Sequence, residues 1–281
     1  MATNLLIGTN RHLAAATRIV PRQTDDPLRP LWNTLCGPRH THGRLASANT
    51  AFYWDLDLGT TATRTYDFLY VPHWATLRYL GAGYVSIESG VSSWSGMTLN
   101  VARSSGWPIT LYGPRGEDLL WTAEIATWGY GSIPLTTDRR YLRLGLAYAN
   151  PSALYSCNKF YFGPFFDMGV DPSEAVVSRD SLKPGAFEAD SGAWQAVRAE
   201  EPRYRAEVVW EGVSDAKVAA FFSEVVEWDR RYGGVLLYTR TDHTVLENVR
   251  ALHCSVLAAT TQQTLNRADC NTVRATFQEL L

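Results

Sequence analysis

Lysine is scarce in this chain: the 281 residues include 26 basic ones, of which only Lys159, Lys183 and Lys217 are lysines. Arginine supplies the rest, and the formal net charge is only −2. A chain with so little net charge lacks the electrostatic footprint of a protein that binds nucleic acid or an anionic membrane. We therefore expect neither kind of partner.

Long hydrophobic runs are also missing, although 46% of the residues are hydrophobic. No run approaches the roughly 18 residues that a membrane-spanning helix needs. Met1–Gly8 has neither the basic region nor the apolar core of a secretory signal. The sequence thus predicts a globular protein without membrane insertion, folded in a cytoplasm, and long enough for two domains.

Cysteine is limited to four widely spaced positions without a C-x-x-C pair. This pattern indicates reduced, structural thiols rather than a disulfide framework or a zinc site. The positions are Cys36, Cys157, Cys254 and Cys270.

Aromatic residues, in contrast, are abundant, with 10 Trp and 14 Tyr. Arg, Trp and Tyr are enriched at protein–protein interfaces, but the cores of all-β proteins also use many aromatics. Both explanations remain open for this chain.

The most regular stretch predicts a strand, a helix and a second strand between Trp194 and Tyr238. Tyr204–Trp210 alternates as a half-buried strand does. Ser214 stands at the N-cap position of the helix, which we place at 214–229, and Gly233 and Gly234 end it. The apolar stripe of this amphipathic helix recurs every three or four residues: Val218, Phe221, Phe222, Val225 and Trp228.

Short strands separated by turn residues fill the first half and predict a β-sandwich or jelly roll. Tyr66–Val71 is continuous and apolar, as expected for a strand covered on both faces. The other strands we predict here are 52–58, 83–88, 109–112, 119–121, 140–148 and 159–163.

A turn-rich connector over 167–192 suggests a domain boundary near Gly169. We therefore predict a domain over 1–169, with an irregular N-terminal segment, and a second over 170–281. The predicted fold class is mainly β: an N-terminal β-sandwich jelly roll followed by a C-terminal β-sandwich or α+β domain with one helix. Two more strands, Val249–Leu257 and Thr272–Leu280, should flank a polar loop near Gln262.

Searches for catalytic or metal-binding patterns find little. His40 and His42 form an H-x-H pair, with His12 and His73 in the same half, but no third ligand stands at a familiar spacing. His243 and His253 lie in different segments and indicate no site. No G-x-S-x-G elbow or phosphate-binding loop is present.

Asp55 and Asp57 lie two residues apart on one predicted strand and so share a face. Such a pair could bind Ca²⁺ or act as glycosidase carboxylates. With Leu56 and Leu58 directed inward, a solvated outer face is the favoured explanation. We therefore predict no enzyme and no cofactor, and a hydrolase is the weakest of three functional hypotheses.

Four tryptophans fall in or beside predicted loops: Trp74, Trp94, Trp107 and Trp128. Exposed aromatic rings in such loops could stack on sugars, or the side chains could plug the core below. Trp94 and Trp107 are our candidate glycan contacts.

The order of features from Trp32 to Gly163 resembles the discoidin-like, galactose-binding type of jelly roll. The similar segments are Phe52–Gly59, Tyr66–Val71 with His73, Arg140–Leu144 and Phe160–Gly163. The resemblance covers about half of the chain and implies a jelly-roll fold with a possible sugar ligand.

Gly163–Phe166 and the segment 192–238 resemble parts of bacteriophage tail proteins. The second half is similar to the ring-forming domain of distal tail and baseplate proteins, which combine a β-sandwich carrying one helix with a sugar-module-like domain. In those families the ring domain usually comes first, whereas here it is predicted to come second.

This resemblance implies a non-enzymatic structural protein of the virion tail tip or baseplate, assembled in the host cytoplasm. A homo-oligomeric ring would join the tail tube to distal tail or fibre proteins, with tube, hub and fibres as partners. We select Trp194, Trp210, Trp228 and Tyr238 as anchors of the core or of the ring interface. The alternative is a carbohydrate-binding module that recognises host-surface glycans.

Overall fold

The computed structural model describes residues 4–14, 18–20, 24–35, 43–46, 51–71, 82–90, 98–103, 111–112, 118–122, 135–148, 156–157, 159–180, 186–188, 194–196, 203–240, 251–263 and 269–280. Within these ranges the fold is mainly β and antiparallel, which confirms the predicted class. The strands are β1 (Leu5–Gly8), β2 (Arg18–Val20), β3 (Gly43–Arg44), β4 (Ala51–Asp57), β5 (Arg64–Tyr66), β6 (Phe68–Val71), β7 (Ala82–Gly90), β8 (Thr98–Arg103), β9 (Leu111–Tyr112), β10 (Asp118–Thr122), β11 (Leu135–Thr137), β12 (Tyr141–Tyr148), β13 (Ser156–Cys157), β14 (Tyr161–Gly163), β15 (Phe165–Phe166), β16 (Pro172–Asp180), β17 (Ala186–Glu188), β18 (Trp194–Ala196), β19 (Arg203–Val213), β20 (Val235–Thr239), β21 (Ala251–Gln263) and β22 (Asn271–Glu279).

Two antiparallel sheets come from the first half of the chain, and we call them together the first unit. Their strand orders are β2-β4-β12-β7-β8 and β14-β6-β10-β9. Trp54 of β4 is 1% exposed, and its ring centroid lies 4.6 Å from that of Phe160, which directly precedes β14. This contact joins the two sheets of the predicted sandwich.

The predicted continuous strand over Tyr66–Val71 is wrong, because Asp67 divides it. β5 pairs with β11, whereas β6 pairs with β10 and β14. The amide of Asp67 donates to the carbonyl oxygen of Gly163 at 2.8 Å, and its carboxylate accepts from the amide of Phe165 at 2.9 Å. Asp67 therefore bonds to the chain around β14 and β15 and interrupts the ladder.

The seven-stranded sheet has the order β15-β1-β20-β21-β22-β19-β16. The place of β1 in this sheet, between β15 and β20, differs from the prediction, which assigned Leu5–Gly8 to the first domain; this segment pairs with Leu236–Thr239. The strands of the first unit lie, in sequence, between β1 and β15. The boundary near Gly169 stays a prediction, but β1 and β15 precede it and still belong to this sheet.

The strands β1 and β20 are buried on both faces, which explains their unbroken apolar sequences. Leu5 and Ile7 join the larger core of the seven-stranded sheet. Leu6 points the other way, into a second core with Phe68, Tyr70 and Tyr161 of the first unit. The seven-stranded sheet thus packs on the four-stranded sheet across a buried boundary rich in aromatic side chains.

The predicted amphipathic helix is present and packs on the larger core through Phe221 and Val225. It consists of α-helix Asp215–Phe221, a π-helical turn Phe222–Val226 and α-helix Glu227–Tyr232. The hydroxyl of Ser214 accepts a bond from the amide of Lys217, so this residue is the N-cap. We call these residues the central helix, and the seven-stranded sheet with the central helix the second unit.

The central helix ends three residues later than predicted. The amide of Gly233 still donates to the carbonyl oxygen of Asp229 at 2.7 Å, and its φ of 71° then turns the chain. Glycine adopts this left-handed conformation without steric cost. A four-residue helix (Arg11–Ala14) and a 3₁₀ helix (Leu31–Thr34) precede it. No helix in the described ranges has the length and apolarity to cross a bilayer.

Two predictions about the second half are wrong. Pro172–Asp180 is a strand rather than a connector, because Ala175 and Val177 alternate toward the core while their neighbours face solvent. β21 continues six residues beyond the predicted end at Leu257, to Gln263. Its polar residues pair with β22, so the expected loop near Gln262 is strand.

Candidate assembly surface

β16 forms one edge of the seven-stranded sheet. Within the described ranges it pairs with β19 alone, and its ladder is regular from Glu174 to Asp180. Ala175 and Val177 pack against the core, whereas Val176 between them is 47% exposed. An edge strand presents unpaired backbone N–H and C=O groups along its free side. β16 can therefore accept one more strand.

The far half of β21 forms a second open edge. β20 covers β21 only from Ala251 to Cys254, whereas β21 runs on beside β22. We call Leu257–Gln263 the overhang. Its sequence has no charged residue, and all of its residues except the half-buried Ala259 are exposed. Within the described ranges this edge is therefore both uncharged and unpaired.

Soluble proteins usually protect their sheet edges with charges, prolines or bulges. The overhang has a register irregularity next to Leu257, but its pairing from Ala258 to Gln263 is regular. The large hydrophobic residues that are exposed in the described ranges are Leu28, Val176 and Leu257. Two of these three, Val176 and Leu257, lie on the open edges, so each edge exposes one large aliphatic side chain.

A buried carboxylate fixes the base of the overhang. Asp229, 6% exposed near the end of the central helix, accepts bonds from the Gly234 amide at 2.6 Å, the Ser255 hydroxyl at 2.8 Å and the Val256 amide at 2.9 Å. Its position explains why β20 does not continue past Cys254 of β21: the end of the helix meets the next two residues, Ser255 and Val256, in its place. The overhang starts from a rigid base.

The other strand of this hairpin is held by Asn271. Its side-chain amide donates to the carbonyl oxygen of Val213 at 3.0 Å and to the carboxylate of Asp215 at 2.6 Å. β22 is thereby fixed to the start of the central helix. The open edge is thus preformed in the single chain.

The predicted anchors lie elsewhere. Trp210 and Tyr238 are fully buried, and Trp228 is 7% exposed with its indole N–H 3.0 Å from the side-chain oxygen of Asn10. All three serve the chain's own core rather than the open edges. Trp194 lies in β18, and its side chain is outside the described part of the structure.

Sequence reasoning missed a buried polar contact at the boundary between the units. His253 Nε2 lies 2.7 Å from the hydroxyl of Tyr161, which donates to the carbonyl oxygen of Gly233 at 3.2 Å. The ring of Tyr70 lies beside the same imidazole, with centroids 5.7 Å apart. A lone histidine between leucine and cysteine carries no local signal of this role, since its partner stands 92 residues away.

The expectation that Asp55 and Asp57 are solvated is wrong: each is 5% exposed. Arg143 binds both carboxylate oxygens of Asp55 at 2.6 and 2.8 Å, and Arg140 binds those of Asp57 at 2.7 and 2.8 Å. The bonds from Arg140 lower the pKa of Asp57 to about 2. Both carboxylates are therefore occupied by guanidinium groups, an arrangement that fixes strands rather than binds a cation.

His12 is the one member of the predicted histidine group that the structure describes. Its ring meets that of Tyr66 edge-on, with centroids 5.8 Å apart. Burial, together with the charges of Arg11 and Arg64, lowers its pKa to about 4. Among the described residues no cluster of His, Cys, Asp and Glu could hold a metal ion; His40, His42, His73 and His243 lie outside those residues.

The structure describes the side chains of two of the four cysteines that the sequence predicts to be reduced. Cys254 and Cys270 are free, and Cys254 is fully buried. Burial raises the pKa of the Cys254 thiol, so the thiol stays protonated. Cys36 and the side chain of Cys157 lie outside the described part.

The candidate glycan contacts lie outside it as well. Trp94 and Trp107, together with Trp74 and Trp128, fall between the described ranges. Their assignment stays a prediction.

Comparison with known proteins gives similarity of structure only. No protein-family model matches the sequence, and no curated protein matches it either. CBM32-1 from a family 31 glycoside hydrolase of Clostridium perfringens aligns with a TM-score of 0.39 and 11% identity, covering 55% of this chain and 99% of that one. Chitosan-binding module 1 of a chitosanase/glucanase from Paenibacillus sp. IK-5 aligns with a TM-score of 0.37 and 14% identity, covering 54% of this chain and 98% of that one.

Reduced XRCC1 bound to the DNA pol beta catalytic domain aligns over 53% of this chain and 97% of that one, with a TM-score of 0.35 and 11% identity. The similar structures thus include modules named for sugars and one bound to a protein. At these TM-scores and identities the likeness carries no argument about a ligand. The likeness covers about half of this chain.

Proposed function

We propose that this chain is a non-enzymatic structural subunit of a phage tail tip or baseplate, where copies form a ring that joins the tail tube to distal tail or fibre proteins. The observation that carries the proposal is the pair of open edges on the seven-stranded sheet, each bearing an exposed aliphatic side chain, Val176 or Leu257. Contacts between two different surfaces of successive copies generate a ring when the rotation closes.

The first unit would then project from the ring as a spacer or docking module. Phe68 and Tyr70 of the first unit are buried against Leu236 and Tyr238 of the second. Interfaces within a chain that are large and hydrophobic hold their domains in one orientation. This boundary therefore supports a fixed connector rather than a mobile receptor-binding head.

The resemblance of 192–238 to ring-forming tail domains supports a place in the tail. Engagement of Asp55 and Asp57 by arginines removes the acidic pair that suggested a hydrolase, which supports a role without catalysis.

Sedimentation velocity of the full chain, with electron microscopy of the same sample, tests the proposal. We expect one discrete oligomer, many times the 31.3 kDa of the monomer, with rotational symmetry in class averages. A chain that remains monomeric from micromolar to millimolar concentration would overturn it.

Glycan recognition by the first unit is the second candidate function. Its support is the sequence position of Trp94 and Trp107, in predicted loops where rings can stack on sugars. A glycan array followed by calorimetric titration tests it. Binding that is lost in Trp94→Ala or Trp107→Ala supports this function, and the absence of any binding removes it.

A further inference from the structure

We propose that the overhang of one copy adds to β16 of the next copy as an antiparallel strand, so that the sheet continues from subunit to subunit. This inference rests on the proposed self-assembly and names the two surfaces that make the joint. Strand addition to an exposed sheet edge is an established mode of recognition, in which backbone hydrogen bonds provide affinity.

Strand direction favours this joint. β21, β22, β19 and β16 are neighbours in that order, and each pairs antiparallel with the next. Four alternating strands leave the two outer ones, β21 and β16, running in opposite directions. When a second copy is related to the first by rotation about a ring axis roughly parallel to these strands, its β16 meets the overhang antiparallel. The alternation then continues without a break.

The lengths and faces of the two edges also correspond. The regular part of the overhang, Ala258–Gln263, and the regular part of β16, Glu174–Asp180, differ by one residue. On the face toward the core, one cross-strand row runs from Ala175 through β19 and β22 to Ala259. On the opposite face, another row runs from Val176 to Ala258. Three of the four row ends are alanines and the fourth is Val176, so no long or charged side chain stands at these ends beside a neighbouring strand.

Charge does not oppose the joint. The overhang has no charged residue, so it meets none of the charged residues of β16 (Glu174, Arg179 and Asp180) with a like charge. It also has no lysine or proline to prevent pairing. Leu257, the exposed large hydrophobic residue of the overhang, directly precedes the regular segment, where the edge of a neighbour would cover it.

A two-fold dimer is the competing arrangement, because two overhangs could also pair with each other. That dimer would leave β16 and Val176 uncovered in both copies. The head-to-tail joint covers both open edges, and we infer it for this reason. The two arrangements predict different oligomers when a variant with a blocked β16 is compared and mixed with a variant with a blocked overhang.

Two variants of the full chain block one edge each with lysines. Glu174→Lys/Val176→Lys blocks β16, and Ala258→Lys/Gln262→Lys blocks the overhang. The control, Ala216→Lys/Ala219→Lys, adds lysines to exposed positions of the central helix. Circular dichroism and thermal midpoints within a few degrees of wild type confirm that each variant is folded.

Sedimentation velocity then separates the possibilities. We expect the control to form the wild-type oligomer, each edge variant alone to be monomeric, and an equimolar mixture of the edge variants to form a dimer through their remaining intact edges. A dimer of the β16 variant alone would favour overhang-to-overhang pairing and overturn the joint. If wild type and both edge variants form the same oligomer, the joint is wrong while the proposed function stands. If wild type itself is monomeric, both fail.

Discussion

Tyr161 of β14 and His253 of β21 share a 2.7 Å hydrogen bond across the buried boundary between the two units. The tyrosine hydroxyl donates its proton to the carbonyl oxygen of Gly233, so the bond with His253 is satisfied when Nε2 carries the imidazole proton. The bond ties the first unit to the end of the central helix and to the strand that becomes the overhang. It is therefore a structural link between the sandwich and the proposed assembly surface.

Tyr161→Phe tests this link. The substitution keeps the ring but leaves the Gly233 carbonyl and His253 Nε2 without the hydroxyl. Burying polar groups without a partner costs about 1–3 kcal/mol, so we expect the free energy of unfolding to fall by that amount in urea denaturation. Tyr204→Phe, a half-buried tyrosine on β19, is the matched control and should change the free energy by less than about 0.5 kcal/mol. Equal effects of the two substitutions would contradict the link.

Local signals account for what the sequence predicted correctly. Ser214 and Gly233 act within one or two helical turns, and their effects do not depend on the rest of the chain. The alternation in β19 and β12 likewise reports which face is buried. Elements of this kind can be placed from a single sequence.

Contacts distant in sequence account for what was missed. Asp57 and Arg140 stand 83 residues apart, and nothing around Asp57 indicates that an arginine buries it. The four residues of β1 are too few to show which sheet they join. Most of the described residues of β16 are exposed, so its apolar pattern is weak. The candidate assembly surface was missed because an open edge is a property of the sheet, not of the strand.

Asp229→Asn should loosen the base of the overhang. The carboxylate accepts from two backbone amides and the hydroxyl of Ser255. An asparagine has one acceptor oxygen and directs an NH₂ group at a donor, so bonds to a charged group worth about 1.5–3 kcal/mol are lost. We expect a lower free energy of unfolding and faster amide hydrogen exchange at Val256.

Glu227→Gln is the control for this substitution. Glu227 lies on the same helix, but its ion pairs with Arg230 and Arg231 are exposed. Exposed pairs are worth roughly 0–1 kcal/mol, so the effect should be small. If exchange at Val256 is unchanged in Asp229→Asn, the carboxylate does not hold the overhang.

Gly163→Ala should be strongly destabilising. A Cβ atom at this position would overlap the carbonyl oxygen of Thr9, in the backbone that follows β1. Because backbone atoms on both sides cannot move independently, we expect a cost of about 3 kcal/mol or more. Gly212→Ala is the comparison: its φ of 76° is strained for alanine, by about 1–2 kcal/mol, but no atom lies within 4 Å of the added methyl. Gly163→Ala should unfold at a lower temperature than Gly212→Ala. The reverse order would contradict the close approach of Gly163 in β14 to the backbone of Thr9.

Acid should destabilise the protein in two steps, and His12 sets the first. Its pKa is lowered from 6.5 to about 4 in the folded chain, so the unfolded chain binds the proton more tightly. The contribution of His12 to stability is therefore complete above pH 6.5 and is lost as the pH falls from 6.5 to about 4. Asp57, whose pKa is lowered from 3.8 to about 2, contributes fully above pH 3.8 and loses its contribution between 3.8 and about 2.

Urea denaturation of wild type and His12→Gln at pH 7, 5.5 and 4.5 isolates the first step. Glutamine does not titrate, so the variant should lose less stability than wild type over this range, whatever the two proteins' difference at pH 7. Asp57→Asn should lose as much stability as wild type between pH 7 and 4.5, because the carboxylate that it removes titrates only below that range. Parallel losses in wild type and His12→Gln would show that the imidazole is not held neutral by burial and by the charges of Arg11 and Arg64.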